Sequence, residues 1–201
     1  MAGVRKTVSD PAGTSAGSCL FLPGMIVCNQ LFYNLNLKGK YMIKIITQID
    51  EITISSLLSV YSESMDGMKT NFATDTEMCV AYASFLREFA KKPNQLIIVE
   101  TFNDEWVSAL RAIETTEGHW FLEAVETKPN KRKKGFGKDL LLHTIDYLKN
   151  RGMTEITCTI SHKNHKSQAL HGKCGFIPTN DAPLNCWGEF EEGTILYRLD
   201  T

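Results

Sequence analysis

The sequence has no excess of charge of one sign, no cysteines at metal-binding or redox spacing, and no apolar run long enough to span a bilayer. Its 22 Lys and Arg face 23 Asp and Glu, a formal net charge of -1, so general attraction to nucleic acid or to an anionic membrane is not indicated. The six cysteines, at 19, 28, 79, 158, 174 and 186, include no Cys-x-x-Cys pair and no close pairing of the zinc-knuckle kind. They read as free thiols in a reducing, cytoplasmic compartment. The early apolar segment CLFLPGMIVCNQLF is broken by Pro-Gly and Asn-Gln and is too short for a transmembrane helix. Arg5 and Lys6 give a signal peptide its basic start, but the gap to the apolar segment is long and polar, and no clean small-residue cleavage site follows. Neither an internal repeat nor a second core is needed to account for 201 residues.

What is present sorts into two unequal parts. Residues 1–41 begin rich in Gly, Ser, Ala and Thr and read as a mobile N-terminal extension. Residues 42–201 read as the folded domain. Alternating and β-rich runs predict strands over 42–47, 95–101, 106–113, 120–126, 155–161 and 195–199. Helical periodicity predicts helices over 52–65, 76–91, 137–150 and 165–173. Asn103-Asp104 and the stretch Thr115 to Gly118 read as hairpin turns. This order predicts an α/β fold with a mixed, mostly antiparallel central sheet flanked by helices. The helix over 137–150 crosses between two strands that should be parallel.

Chemistry concentrates in two stretches. The first, KRKKGFGKDLLLHTIDYLKNRG, places Arg132, Lys133, Lys134, Gly135, Phe136, Gly137 and Lys138 at the start of an amphipathic helix. A helix start leaves four N–H groups without intrahelical partners and carries about half a positive charge. Glycines let a phosphate approach them closely, so a pyrophosphate site fits the pattern; a plain helix start with solvated lysines fits it too. A dinucleotide fingerprint is excluded by Leu140 where a third glycine should stand, and a Walker loop by Asp139 after Lys138. Kinase signatures are absent. The second stretch, NHKSQALHGKCGF, sets Asn164, Ser167 and His171 at i, i+3 and i+7, one face of a short helix ending near Gly175. That stripe is either a ligand wall or the polar face of a capped surface helix. His162 and His165 lack the further ligands a metal site needs, and no metal is expected. Cys174, beside a Gly-Phe turn, reads as packing.

Together the two stretches carry a resemblance. Arg132-Lys133-Lys134-Gly135-Phe136-Gly137 matches the Gln/Arg-x-x-Gly-x-Gly/Ala signature of the GCN5-related N-acetyltransferases (GNAT). Asn164-x-x-Ser167-x-x-Leu170-His171-x-Lys173-x-Gly175-Phe176 looks like their second block, in the right order and at a fitting distance.

The resemblance implies a GNAT-like acyltransferase fold and direct transfer of the acetyl group of acetyl coenzyme A to a primary amine of a small molecule or peptide. It implies that residues 132–138 bind the pyrophosphate through backbone N–H groups, with Asn164 and Ser167 also on the cofactor side. It implies further that the strand around Ala124, Val125 and Glu126 splays and pairs with the pantetheine arm, and that a backbone N–H near Val125 serves the oxyanion. Many relatives carry a tyrosine as the acid for the departing thiolate; this chain has His171. For the base, Glu123 and Glu126 are the candidates. Being an odd number of residues apart, only one can face the acceptor unless a bulge intervenes, and Glu126 is preferred. Glu63, Asp66, Asp75 and Glu77 could give the acceptor entrance an acidic lining, and Trp106, Trp120 and Trp187 could wall its cavity. A homodimer stays open. A coenzyme A-binding sensor or scaffold without efficient catalysis is the rival reading, fed by His171.

Overall fold

Three helices start where a short polar side chain accepts a backbone N–H three residues ahead. Asp50 accepts from Thr53 at 2.7 Å, Thr74 from Glu77 at 3.1 Å and Asn164 from Ser167 at 3.1 Å, each satisfying one of the orphan donors of a first turn. The computed structural model describes residues 40–201; the expected extension lies outside the described residues apart from its last two. The strands are β1 (Tyr41–Ile46), β2 (Gln95–Phe102), β3 (Glu105–Thr116), β4 (His119–Thr127), β5 (Glu155–Ser161), β6 (Ile177–Pro178) and β7 (Thr194–Asp200). The helices are α1 (Glu51–Val60), α2 (Ser62–Asp66), α3 (Asp75–Lys91), α4 (Phe136–Lys149) and α5 (His165–Lys173). Among the described residues, no helix is long and apolar enough to cross a membrane.

The seven strands form one sheet in the order β1-β2-β3-β4-β5-β7-β6. All neighbours are antiparallel except β4 and β5, which α4 connects. The sheet divides the core in two. One face packs Ile98, Leu110, Trp120 and Leu122 under Leu140, Leu141, Ile145 and Leu148 of α4; the other packs Ile97, Val99, Ala109 and Ile113 under α1 and α3. Each buried leucine of the α4 stripe contributes about 1.5–3 kcal/mol by leaving water. Asn103 and Asp104 both adopt positive φ, 52° and 62°, which suits a tight turn between β2 and β3.

Two departures from the sequence reading shape the site. The helix expected over 52–65 breaks at Tyr61 into α1 and α2. Glu126 of β4 supplies the reason, since its carboxylate accepts from the N–H groups of Glu63 and Ser64, the donors a new helix start exposes. The second departure is a register shift between β3 and β4: Arg111 pairs with Ala124 and Ala112 with Leu122, leaving Glu123 as an extra residue. A bulge increases local twist and re-aims side chains. Just before it the β4–β5 ladder ends. Only His119, Trp120 and Phe121 pair with β5, whereas β4 stays on β3 through Thr127 and β5 stays on β7 through Ser161. The sheet therefore opens into a wedge.

Candidate active site

The wedge points toward the N-terminus of α4. After a 3-10 turn at Pro129–Lys131, Arg132 is extended, Lys133 turns to φ 61° and Gly135 to φ 98°, and α4 begins at Phe136. Among the described residues, the N–H groups of Lys133, Lys134, Gly135, Phe136 and Gly137 find no hydrogen-bond acceptor. Five successive free donors at a positive helix end have the chemistry of an anion cradle. Gly137 is tightly placed there: a Cβ would lie 3.0 Å from Thr127 Oγ1, which would have to give way.

The basic side chains of the loop divide into two groups. Lys133, Lys134 and Lys138 are exposed and make no ion pair with a described residue. Arg132 is engaged elsewhere. Its Nε donates to Thr127 O at 2.9 Å, and its two terminal nitrogens clamp the Glu63 carboxylate, Nη1 at 2.8 Å. That clamp holds the Glu63 carboxyl below its usual range. The Phe136 ring is buried against Phe102, 5.5 Å between centroids, so only its N–H faces the cradle.

On β4, Val125 packs on the α4 side and Ala124 on the α3 side. The bulge brings Glu123 to the α3 side as well, so Glu123 and Glu126 share one face despite their odd spacing. Their surroundings differ. Glu126 is 7% exposed and accepts three hydrogen bonds, from Glu63 N at 2.8 Å, Ser64 N at 3.2 Å and Ser64 Oγ at 2.7 Å. Glu123 pairs through Oε2 with Nε of Arg111, while Oε1 accepts no hydrogen bond from a described residue.

Arg111, which the sequence reading passed over, organises the α3-side surroundings of Glu123. Its guanidinium is buried, donates from Nη1 to Tyr82 Oη at 2.5 Å, and lies over the Tyr61 ring at 4.6 Å and the Phe85 ring at 5.1 Å. An arginine inside the apolar strand run VSALRAI was the available signal. Above the pair opens a cavity of about 440 Å³, walled by Met68, Phe72, Tyr82, Phe85, Ala124 and Trp187, with Ser64 at its edge.

Of the three tryptophans, Trp187 lines this space, Trp106 packs beside the α3-side core and Trp120 is buried on the α4 side. The expected acidic lining does not converge. Glu63 faces Arg132, Asp66 faces Lys69, Glu77 accepts from Ala73 N, and none of these or Asp75 lines the cavity. Glu191 is a further carboxylate that sequence reasoning missed; it accepts from Thr159 on the splayed part of β5.

On α5, the Asn164 side chain caps the helix. Ser167 Oγ lies 3.3 Å from Nδ1 of His171, and Nδ1 donates to Ser167 O at 2.9 Å. His171 is 3% exposed, packed edge-on against Phe176, and burial pushes its pKa down. The neutral ring therefore carries its proton on Nδ1 and leaves Nε2 as a lone pair without a partner among the described residues. The acid role considered for His171 needs a proton on Nε2, which takes either the charged form that burial opposes or loss of the Nδ1 bond to Ser167 O.

This architecture recurs in solved structures. An acetyltransferase from Streptococcus agalactiae superposes with a TM-score of 0.63 at 12% identity, covering 80% of this chain and 98% of its own. PaiA N-acetyltransferase from Thermoplasma acidophilum, solved with coenzyme A, gives 0.56 at 16% identity, covering 79% and 99%. The ribosomal-protein-S18-alanine N-acetyltransferase of Escherichia coli gives 0.55 at 18%, covering 79% and 94%. At these identities the likeness establishes the fold. A comparison with curated proteins gives no significant match. The family model described as Acetyltransferase (GNAT) family matches residues 58–176, from the end of α1 through both motif stretches. That span is more than half of the chain, and the chain belongs to the GNAT acetyltransferase family.

Proposed function

We propose that this protein is an N-acetyltransferase that passes the acetyl group of acetyl coenzyme A directly to a primary amine. One observation carries the reading: the splayed segment of β4 has the free-donor cradle at its end and the Arg111–Glu123 cavity on its flank. When bound, acetyl coenzyme A supplies the acetyl thioester. The N–H groups of Lys133 to Gly137 hold its pyrophosphate, with Lys133, Lys134 and Lys138 adding charge. The exposed edge at Ala124 and Val125 takes the pantetheine arm, and the Val125 N–H is the candidate donor to the oxyanion. Arg132 acts through Glu63, tying the cradle to α2.

An ammonium with a pKa near 10.4 must lose a proton before it attacks. Glu123 is the group placed to receive it, since it lines the cavity with Oε1 available. Glu126 positions α2. His171, neutral and bonded to Ser167, positions α5, and the proton for the departing thiolate comes from water or from the incoming amine. Direct transfer is supported by the thiols. Burial and then the Glu123 charge push Cys186 up to about 11, and burial pushes Cys158 up to about 12 and raises Cys174, so none of these three is poised as a thiolate nucleophile. The free thiols fit a reducing cytoplasm.

Incubation with acetyl coenzyme A and a broad amine panel tests the proposal, read by thiol release and by the mass of the acetylated amine. Release dependent on an added amine supports it. Coenzyme A binding without amine-dependent release favours the sensor reading, which the missing proton at His171 Nε2 recommends.

A further inference from the structure

The cavity beside Glu123 has an unusual division of polarity. Its walls are Met68, Phe72, Tyr82, Phe85 and Trp187, and its charged groups are Arg111 and Glu123. Arg111 offers nothing to a ligand through Nε and Nη1, which already donate to Glu123 and Tyr82, and its flat face is covered by rings. Glu123 is different. Its side chain keeps 18% of its exposure and one oxygen without a partner among the described residues. The carboxylate lining the cavity thus keeps one oxygen for a cation within largely apolar and aromatic walls.

The mouth is fixed by the loop before β7. Asn185 Oδ1 accepts from Trp187 N at 3.0 Å and Glu189 N at 3.0 Å, and Leu184 bridges to Phe190. This turn holds the Trp187 indole at the cavity's edge with 62% of its surface exposed, leaving a ring face for a partner.

Resting on the acetyltransfer reading, we infer that the acceptor is a monoamine whose single primary amine sits on an aromatic or alkyl body, the nitrogen at Glu123 and the apolar body between Phe85 and Trp187. A cavity of about 440 Å³ lies within the usual range of roughly 300–1,000 Å³ for small-molecule sites. A polyamine or aminoglycoside would bring a second ammonium into a space where, among the described residues, Glu123 is the one lining carboxylate; Glu63 turns to Arg132, Asp66 to Lys69 and Glu126 to α2. An unpaired buried charge is costly. A peptide N-terminus would bring amide groups to walls that offer them few hydrogen bonds.

The test uses the full chain with acetyl coenzyme A and four acceptors: 2-phenylethylamine, hexylamine, spermidine and a short peptide with a free N-terminus. Thiol release gives kcat/KM, and calorimetry on the coenzyme A complex gives direct binding of each amine. The two monoamines should exceed spermidine and the peptide by at least about tenfold, the discrimination of roughly 1.4 kcal/mol. Trp187→Ala, at an exposed side chain, should raise KM for 2-phenylethylamine several-fold more than for hexylamine and leave coenzyme A binding unchanged. Preference for spermidine or the peptide, with transfer intact, overturns the inference alone. If nothing is acetylated, the binding isotherms decide: tight monoamine binding sustains the inference while the transfer reading falls, and no monoamine binding removes both.

Discussion

Glu126→Gln separates an anchor from a base. The carboxylate accepts three hydrogen bonds from the start of α2. A glutamine keeps one oxygen for Glu63 N but turns its NH2 group toward the Ser64 N–H, donor against donor. A hydrogen bond to an ionised group contributes about 1.5–3 kcal/mol, and an unsatisfied buried donor costs a further amount of similar order. Rotation of Ser64 Oγ recovers part of this, so the net loss should be about 2–3 kcal/mol. For a domain of this size, each kcal/mol shifts Tm by roughly 2–4 °C, giving a fall of about 4–12 °C. Since Ser64 borders the cavity, acceptor KM should rise while kcat stays within about threefold. Calorimetric melting and steady-state kinetics on the same preparation measure both. An unchanged Tm with kcat reduced a thousandfold would refute the anchor assignment and return Glu126 to the role of base.

Three other changes probe different parts of the molecule. Gly137→Val forces a branched side chain into Thr127, whose Oγ1 would lie 3.0 Å from the new Cβ; coenzyme A affinity should fall at least about tenfold with a smaller change in Tm, and unchanged affinity in titration calorimetry would sink the cradle. Glu100 is fully buried beneath α4, donated to by Ser108, and burial pushes its pKa up to about 8 from an ordinary 4.5. The native state therefore holds this proton more tightly than the unfolded chain, so its contribution is complete below pH 4.5 and is lost as pH rises through 8, a fall on the order of a few kcal/mol. Denaturant melts from pH 5 to 9 should show this slope, and Glu100→Gln should flatten it; an equal slope in the variant would exclude Glu100 as its source. His171→Ala removes the bond to Ser167 O and the packing on Phe176 and should cost about 1–3 kcal/mol of stability with single-turnover transfer within several-fold; a drop of a thousandfold at intact Tm would restore the acid.

The sheet was readable because its strands alternate and its turns are marked. The strands over 155–161 and the helix over 165–173 fall where periodicity put them, and β1, β2, β4 and β7 differ by a residue or so at their ends. The helix break at Tyr61 was not readable. Nothing local stops a helix at Tyr61-Ser62; the stop depends on a carboxylate 65 positions later, and such a partner has no signature in a helical window. The two-residue β6 is likewise defined only by pairing with β7, since Ile177-Pro178 has no period to detect.

At the site, the cradle was legible because its parts are contiguous: glycines, lysines and a helix start lie in one stretch. The cavity beside Glu123 was not, because it is assembled from α2, the segment after it, α3, β3, β4 and the loop before β7, each contributing one to three residues. The bulge at Glu123 shows why counting alone goes astray there. Strict alternation sends residues 123 and 126 to opposite faces, and that rule would leave one carboxylate in the α4-side core, unpaired and expensive. Inserting one residue into the ladder avoids the cost by turning Glu123 toward Arg111, whose own buried charge needs a counter-ion. The same insertion adds twist at the point where β4 leaves β5. One backbone irregularity thus seats the carboxylate that lines the cavity and marks the point where the sheet opens, so on the proposed acetyltransfer, removing the bulge by deletion of Glu123 should abolish transfer by displacing both halves of the site at once.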